Sequence, residues 1–154
     1  MALIFMDSSA VVKRYVQETG SVWVSGLFTA APANEITVVA LTGVEVVAAI
    51  TRRVRGGTIS PVDAASSCAL FLADLGPDYQ VVAVTDALLS QAIRLAQFYG
   101  LRGYDAVQLA AANEVSRLRV TAGAAPIIFV SADQELNAAA QSEGLVVDDP
   151  NAHP

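Results

Sequence analysis

The stretch LIFMDSS, residues 3–9, decides how the rest of the chain is interpreted. Residues 3–6 are wholly apolar, as expected of a β-strand that is covered on both faces. The polar residues Asp7, Ser8 and Ser9 end that run, and apolar residues at helical spacing then continue towards Gly20. A buried strand that leads directly into a helix is the repeating unit of a parallel α/β sheet.

The same unit recurs along the chain. Strands are predicted at residues 36–39, 81–84, 127–130 and 145–147, and helices at 42–55, 61–75, 86–99, 106–118 and 134–143. Residues 21–28 are ambiguous between helix and strand. This alternation predicts an α/β fold with a parallel sheet flanked by helices. We expect one domain over residues 1–148 and a loosely packed C-terminal tail over 149–154.

Composition excludes several classes of protein. The 154 residues are 54% hydrophobic and 16% charged, which is typical of a folded domain and not of a disordered chain. We expect no transmembrane helix and no signal peptide, because the apolar runs are short and broken. The single cysteine, Cys68, favours a reducing cytoplasm. The net charge of −6, taken alone, argues against a nucleic-acid binder.

Four acidic residues follow or begin predicted elements in equivalent places: Asp7, Glu45, Asp105 and Asp133. In an open parallel sheet, strand C-termini and the following helix N-termini share one edge, where ligands bind. Two carboxylates about 5 Å apart repel by roughly 3 kcal/mol at an effective dielectric near 20. A divalent cation offsets that repulsion, and oxygen ligands alone select Mg²⁺ or Mn²⁺. Such ions activate water for attack on a phosphodiester.

Each acid also has a purely structural interpretation. Thr42–Glu45 fits a capping box, in which Glu45 binds only the backbone of its own helix. Ser131–Gln134 fits an ordinary helix cap, and Asp105 fits a favourable interaction with a helix dipole. Asp7 has the fewest such alternatives, since it comes directly after a buried strand. A site is therefore indicated only by the four positions together.

Four segments, in their order and spacing, resemble the PIN-domain family, and specifically the VapC-type toxins of toxin–antitoxin pairs. They are DSSA at residues 7–10, LTGVEV at 41–46, LRGYDAVQLA at 101–110 and FVSADQEL at 129–136. The resemblance implies a compact PIN-like three-layer α/β/α sandwich with a central, mainly parallel sheet, as a single PIN domain over residues 1–148.

The resemblance also implies an endoribonuclease that depends on Mg²⁺ or Mn²⁺. By this resemblance, the family's four acidic metal ligands and catalytic residues correspond to Asp7, Glu45, Asp105 and Asp133. Many relatives have a further acid close to the last position, where this chain offers only Glu135, so the number of ions stays open. Implied partners are a VapB-type antitoxin, the RNA substrate and a second copy of the chain, without any membrane.

Hydroxyls and arginines are the candidate substrate contacts. By resemblance, Ser131 and, more weakly, Ser9 lie near the metal or the substrate phosphate. Arginine side chains hold phosphates, and the candidates are Arg52, Arg53, Arg55 and Arg102. The first three also fit the C-terminal end of a helix followed by a solvated loop.

Two other functions compete with the nuclease. One is a haloacid-dehalogenase-like phosphatase with Asp7 as nucleophile, although such enzymes usually have a second Asp where this chain has Ser9, and the only lysine is Lys13. The other is a non-catalytic PIN-like binding module. The net charge is compatible with RNA binding after all. Without the four proposed ligands, the chain has eleven Asp and Glu against nine Lys and Arg, a balance of −2. We expect RNA binding to be poor without a divalent ion.

Overall fold

The computed structural model describes residues 2–154; Met1, which the predicted domain includes, lies outside the described residues. The described chain alternates strands and helices in this order: β1 (Leu3–Met6), α1 (Ser8–Tyr15), α2 (Ser21–Thr29), β2 (Glu35–Val39), α3 (Leu41–Arg55), α4 (Pro61–Asp74), β3 (Gln80–Val82), α5 (Asp86–Tyr99), α6 (Gly103–Thr121), β4 (Ile128–Val130), α7 (Gln134–Ser142), β5 (Val146–Asp148) and a 3₁₀ turn (Pro150–Ala152). Residues 21–28, which the sequence left ambiguous, form most of α2.

The five strands form one sheet in the order β3-β2-β1-β4-β5, and every pairing is parallel. β1 lies at the centre, with Phe5 paired to Thr37 of β2 on one side and to Phe129 of β4 on the other. The chain builds the sheet outwards from β1 in one direction and then returns to build it in the other. The point between β1 and β4, where the direction changes, is where ligands bind in such sheets.

Two hydrophobic cores cover the two faces of the sheet. Successive residues of a strand face opposite sides. Leu3 and Phe5 accordingly pack in the core with α5, α6 and α7, and Ile4 and Met6 in the core with α1 to α4. All four side chains are buried, which explains why β1 is apolar at every position. The predicted three-layer α/β/α arrangement is confirmed.

Hydroxyl side chains cap the starts of α4 and α5. The Ser60 hydroxyl accepts from the Asp63 backbone N–H, directly before Pro61 begins α4. The Thr85 hydroxyl caps α5 by accepting from the Leu88 N–H. Within residues 2–154, no helix combines the length and apolarity needed to cross a bilayer.

The expectation of a loosely packed tail is wrong. Pro150 is buried, and the backbone approaches so closely that a Cβ on Gly20, whose φ is +85°, would collide with the Pro150 carbonyl. The ring of His153 stacks on Trp23 with centroids 4.1 Å apart, and the Asn151 side chain accepts a 3.0 Å hydrogen bond from the Lys13 ammonium. Although the tail is polar in sequence, it packs against the rest of the domain: Asn151 contacts Lys13 of α1, and His153 contacts Trp23 of α2.

Candidate active site

The carboxyl edge of the sheet carries all four predicted acids. Asp7 follows β1 directly and caps α1, and Asp133 comes shortly after the neighbouring β4 and caps α7. Glu45 is the fifth residue of α3, which follows β2, and Asp105 is the third residue of α6. These residues lie far apart in sequence. The parallel topology brings Asp7, Glu45 and Asp133 to one rim, whereas Asp105, on a helix that follows another helix, joins them through the Arg102 guanidinium that it shares with Asp133.

Asp7 is the most buried of the four, with 2% of its surface exposed. Its Oδ1 accepts hydrogen bonds from the Ser9 hydroxyl (2.7 Å) and the Ala10 N–H (3.1 Å), and its Oδ2 accepts one from the Ser131 hydroxyl (3.0 Å). Burial raises the pKa of Asp7 to about 7, with a further contribution from the charge of Glu45, although the three hydrogen bonds act in the opposite direction.

The hydroxyls of Ser9 and Ser131 tie the first and fourth acids together. Besides donating to Asp7, Ser131 Oγ accepts from the Asp133 N–H at 3.1 Å, and Ser9 Oγ accepts from the Ala132 N–H at 2.9 Å. Both residues therefore lie at the site, as predicted, and both hold the Asp7 carboxylate. Their contact with substrate stays a prediction.

Glu45 is held from two sides by residues that the sequence did not single out. Ser8 Oγ donates to its Oε2 at 3.2 Å, and the Gln108 side-chain amide donates to its Oε1 at 2.7 Å. The sequence does contain an indication for Gln108, because it lies three residues after Asp105 and hence on the same face of the helix. The capping-box interpretation of Glu45 is wrong: α3 begins one residue earlier, its N-cap is Ala40 without a side-chain bond, and Thr42 is buried inside the helix.

Asp105 and Asp133 share one exposed cation. The Arg102 guanidinium lies 3.5 Å from Asp105 Oδ2 and 3.7 Å from Asp133 Oδ2, and the arginine side chain is 79% exposed. Burial raises the pKa of Asp105, the charges of Asp133, Glu45 and Glu135 raise it further, and Arg102 opposes them. Asp133 Oδ1 caps α7 by accepting from the Leu136 N–H at 3.0 Å, so its capping interpretation is confirmed beside its place in the site.

The other three arginines lie away from this rim, in the last turn of α3. At 1.5 Å per residue, Arg52 and Arg55 come about 10 and 15 Å beyond Glu45 along the helix axis. Arg53 donates to Glu18 at 2.8 Å and to the Ala49 carbonyl at 3.1 Å. The structure brings Arg102 to the acids and does not bring Arg52, Arg53 or Arg55 there; their contact with RNA stays a prediction.

The donor set is suited by its chemistry to a hard divalent cation. All four side chains offer carboxylate oxygens, and Mg²⁺ and Mn²⁺ prefer such ligands. Among residues 2–154 no three His, Cys, Asp or Glu side chains converge into a ready-made metal-binding group. The charges of Glu45 and Asp133 nevertheless raise the pKa values of neighbouring acids, and the side chains of Asp105 and Asp133, 19% and 24% exposed, are accessible from solvent.

No family model matches the sequence, and no curated protein matches it either. Similarity appears in the comparison with solved structures. PAE2754 from Pyrobaculum aerophilum is 19% identical with a TM-score of 0.64, over 98% of this chain and 91% of that one. A toxin–antitoxin complex from Klebsiella pneumoniae is 16% identical with a TM-score of 0.60, over 97% of this chain and 98% of that one.

The third structure is VapC20 from Mycobacterium tuberculosis, described as a toxin that cleaves the sarcin–ricin loop. It is 18% identical with a TM-score of 0.62, over 88% of this chain and 94% of that one. These likenesses extend over nearly the whole length of each protein and show the fold. The chain has a PIN-like fold, shared with VapC-type toxins, as the sequence resemblance implied.

Proposed function

We propose that this protein is a Mg²⁺- or Mn²⁺-dependent endoribonuclease and the toxin of a VapBC-type pair. One observation carries the proposal: four carboxylates from four separate segments lie at the carboxyl edge of the sheet, where the charges of Glu45 and Asp133 raise the pKa values of neighbouring acids. Glu45 raises the pKa of both Asp7 and Asp105, and Asp133 raises that of Asp105. Perturbed acids of this kind mark functional sites.

Asp7, Glu45, Asp105 and Asp133 would hold the ion. When bound, it supplies Lewis-acid chemistry at a phosphate oxygen and a lowered pKa for the attacking water. Ser9 and Ser131 keep Asp7 in place, and Ser8 and Gln108 do so for Glu45. Arg102 lies at the exposed side of the rim, where a guanidinium favours a phosphate by a charge-assisted hydrogen bond.

The partners follow from this assignment. RNA is the substrate, a VapB-type antitoxin neutralises the protein, and two copies of the chain form a homodimer. The likeness to a toxin–antitoxin complex supports the antitoxin. The protein works in the cytoplasm, where its RNA target is found and its single cysteine stays reduced.

A cleavage assay tests the chemistry. The purified chain is given labelled RNA in Mg²⁺, in Mn²⁺ or in EDTA, beside Asp7→Asn and the matched surface variant Asp63→Asn. Cleavage is expected in either metal, is lost in EDTA and in Asp7→Asn, and is retained in Asp63→Asn. Persistence in EDTA, or full activity of Asp7→Asn, contradicts the mechanism. Phosphatase turnover through a trapped phosphoaspartate at Asp7 would instead support the phosphatase.

Expression tests the biological role. Induction of the wild-type protein is expected to arrest growth, and induction of Asp7→Asn is not. Co-expression of a small antitoxin encoded beside the gene restores growth. If the protein binds metal but neither cleaves RNA nor arrests growth, it is a non-catalytic binding module.

A further inference from the structure

Gln108 is a buried amide that the proposed chemistry does not use directly. It lies in the middle of α6 with 1% of its surface exposed, among apolar neighbours of the core. Its side-chain nitrogen donates to Glu45 Oε1 at 2.7 Å and to the Thr42 hydroxyl at 3.0 Å. Both protons of the amide are therefore used, and both go to α3.

The amide can face only one way. A carboxylate accepts hydrogen bonds and does not donate them, so rotation of the amide would place Gln108 Oε1 against Glu45 Oε1, two acceptors in contact. Thr42, which is fully buried, fixes the second N–H from the same helix. The orientation of Gln108 thus decides where the Glu45 carboxylate is held.

The amide oxygen shows what this arrangement costs. Gln108 Oε1 is buried and has no hydrogen-bond partner among residues 2–154. A buried polar atom without a partner is unfavourable, and an apolar side chain of the same length would avoid it. The gain at this position is consequently in the two bonds that the amide donates, to Glu45 and to Thr42.

Helix α6 also carries Asp105, three residues earlier and on the same face. Glu45, which Gln108 holds, is near enough to Asp105 for its charge to raise the pKa of that carboxyl. One helix thus supplies one acid and the group that fixes another.

We propose that Gln108 is a positioning residue for Glu45 and sets the affinity of the four-acid rim for a divalent cation. This proposal rests on the proposed function. With 1% of its surface exposed, Gln108 is not accessible to RNA. It acts through Glu45, as groups that hydrogen-bond to metal ligands commonly do.

Calorimetric titration of the full-length chain with Mn²⁺ alone tests this directly. Gln108→Met keeps the length and removes the donor, and its Mn²⁺ affinity is expected to fall about tenfold. In a Glu45→Gln background the same substitution is expected to change the affinity no further, because the two residues act as one unit. In the RNA assay kcat falls and KM is unchanged, since Gln108 is buried away from the substrate.

Two further variants keep the test decisive. Thr37→Val removes a buried hydroxyl that also has no partner among the described residues, and it is expected to leave Mn²⁺ affinity unchanged. If Gln108→Met does not fold, Thr42→Val frees the amide from its second anchor and is expected to weaken Mn²⁺ binding two- to threefold. An affinity within error of wild type in whichever variant folds overturns the proposal, as does an equal loss in the Glu45→Gln background.

The outcomes separate this proposal from the proposed function. If the wild-type protein binds Mn²⁺ and Asp105→Asn does not, but Gln108→Met binds normally, only the role of Gln108 is refuted. If the wild-type protein binds no Mn²⁺, or if Asp105→Asn and Asp7→Asn bind it normally, the metal-dependent function and the role of Gln108 are both refuted.

Discussion

Replacement of Asp7 by Asn should make the protein inactive and, at alkaline pH without metal, more stable. Asp7 is buried, and its pKa is raised from 3.8 to about 7 mainly by that burial. The folded state therefore binds a proton more tightly than the unfolded state. Stability from this group is fully present below pH 3.8 and is lost as the pH rises through about 7.

The magnitude follows from the shift. Each pKa unit corresponds to about 1.4 kcal/mol, so a shift of about three units costs the charged form roughly 4 kcal/mol above pH 8. Asn is neutral and keeps the oxygen that accepts from Ser9 and Ala10, but it loses the acceptor for the Ser131 hydroxyl, at about 1 kcal/mol. Asp7→Asn should therefore be more stable than wild type by roughly 3 kcal/mol at pH 8, about 6–12 °C in Tm for a chain of this size.

Urea unfolding in EDTA at several pH values measures the difference. The free energy of unfolding of Asp7→Asn minus that of wild type should grow by about 2.5 kcal/mol between pH 5 and pH 8. Asp63→Asn, an exposed acid on α4, should run parallel to wild type throughout. If the difference in free energy of unfolding between Asp7→Asn and wild type stays constant from pH 5 to pH 8, burial of the charged carboxylate does not destabilise the protein as proposed.

The exposed arginine, the acidic rim and the C-terminal tail give the remaining predictions. Arg102→Gln should tighten Mn²⁺ binding two- to fivefold in calorimetry, because the exposed ion pairs to Asp105 and Asp133 that compete with the metal are worth up to about 1 kcal/mol each. Phosphorothioate RNA should bind at least fivefold more weakly in EDTA than in Mn²⁺ by fluorescence anisotropy, because uncompensated carboxylates repel phosphate. Asn151→Ala should lower the free energy of unfolding by about 1–2 kcal/mol in urea, because it leaves one N–H of the buried Lys13 ammonium without its partner.

Each of these predictions has a control of its own. Arg117→Gln removes an exposed arginine that pairs with Glu114 on the same helix and should leave Mn²⁺ affinity unchanged. The RNA measurement is made at constant ionic strength, since phosphate contacts are salt-dependent. Gln141→Ala, an exposed change on α7, should alter stability by less than about 0.5 kcal/mol. Unchanged Mn²⁺ affinity of Arg102→Gln, equal RNA binding in EDTA, or wild-type stability of Asn151→Ala would each contradict its own prediction.

The layers of the fold could be predicted because hydrophobic periodicity reports burial directly. β1 and β4 are apolar at each position because helices cover both faces, and the glycines and capping residues between elements mark the breaks. The tail could not be predicted in this way. Its contacts join residues more than a hundred positions apart, as Lys13 and Asn151 do, and depend on the close approach that Gly20 permits.

The position of the acids could be predicted from the topology, but their supporting contacts could not. Parallel strands bring their carboxyl ends together whatever the side chains are, so Asp7 and Asp133 had to meet. Which group would hold Glu45 depended on the packing of α3 against α6. Only the structure shows that the Gln108 amide reaches across and that Arg52 and Arg55 lie at the far end of the same helix.

Helix capping and membership of the site had been treated as alternatives, and the geometry shows that they are compatible. A carboxylate has two oxygens, and a cap uses one of them. Asp7 caps α1 through Oδ1 and accepts from Ser131 through Oδ2, while Asp133 caps α7 through Oδ1 and faces Arg102 through Oδ2. Because the cap fixes the first oxygen to the backbone, it also fixes the direction of the second. An acid at the N-cap directly after a parallel strand is thus aimed by the helix that it stabilises, and its capping role is a reason to expect a precisely held ligand and not a reason to dismiss one.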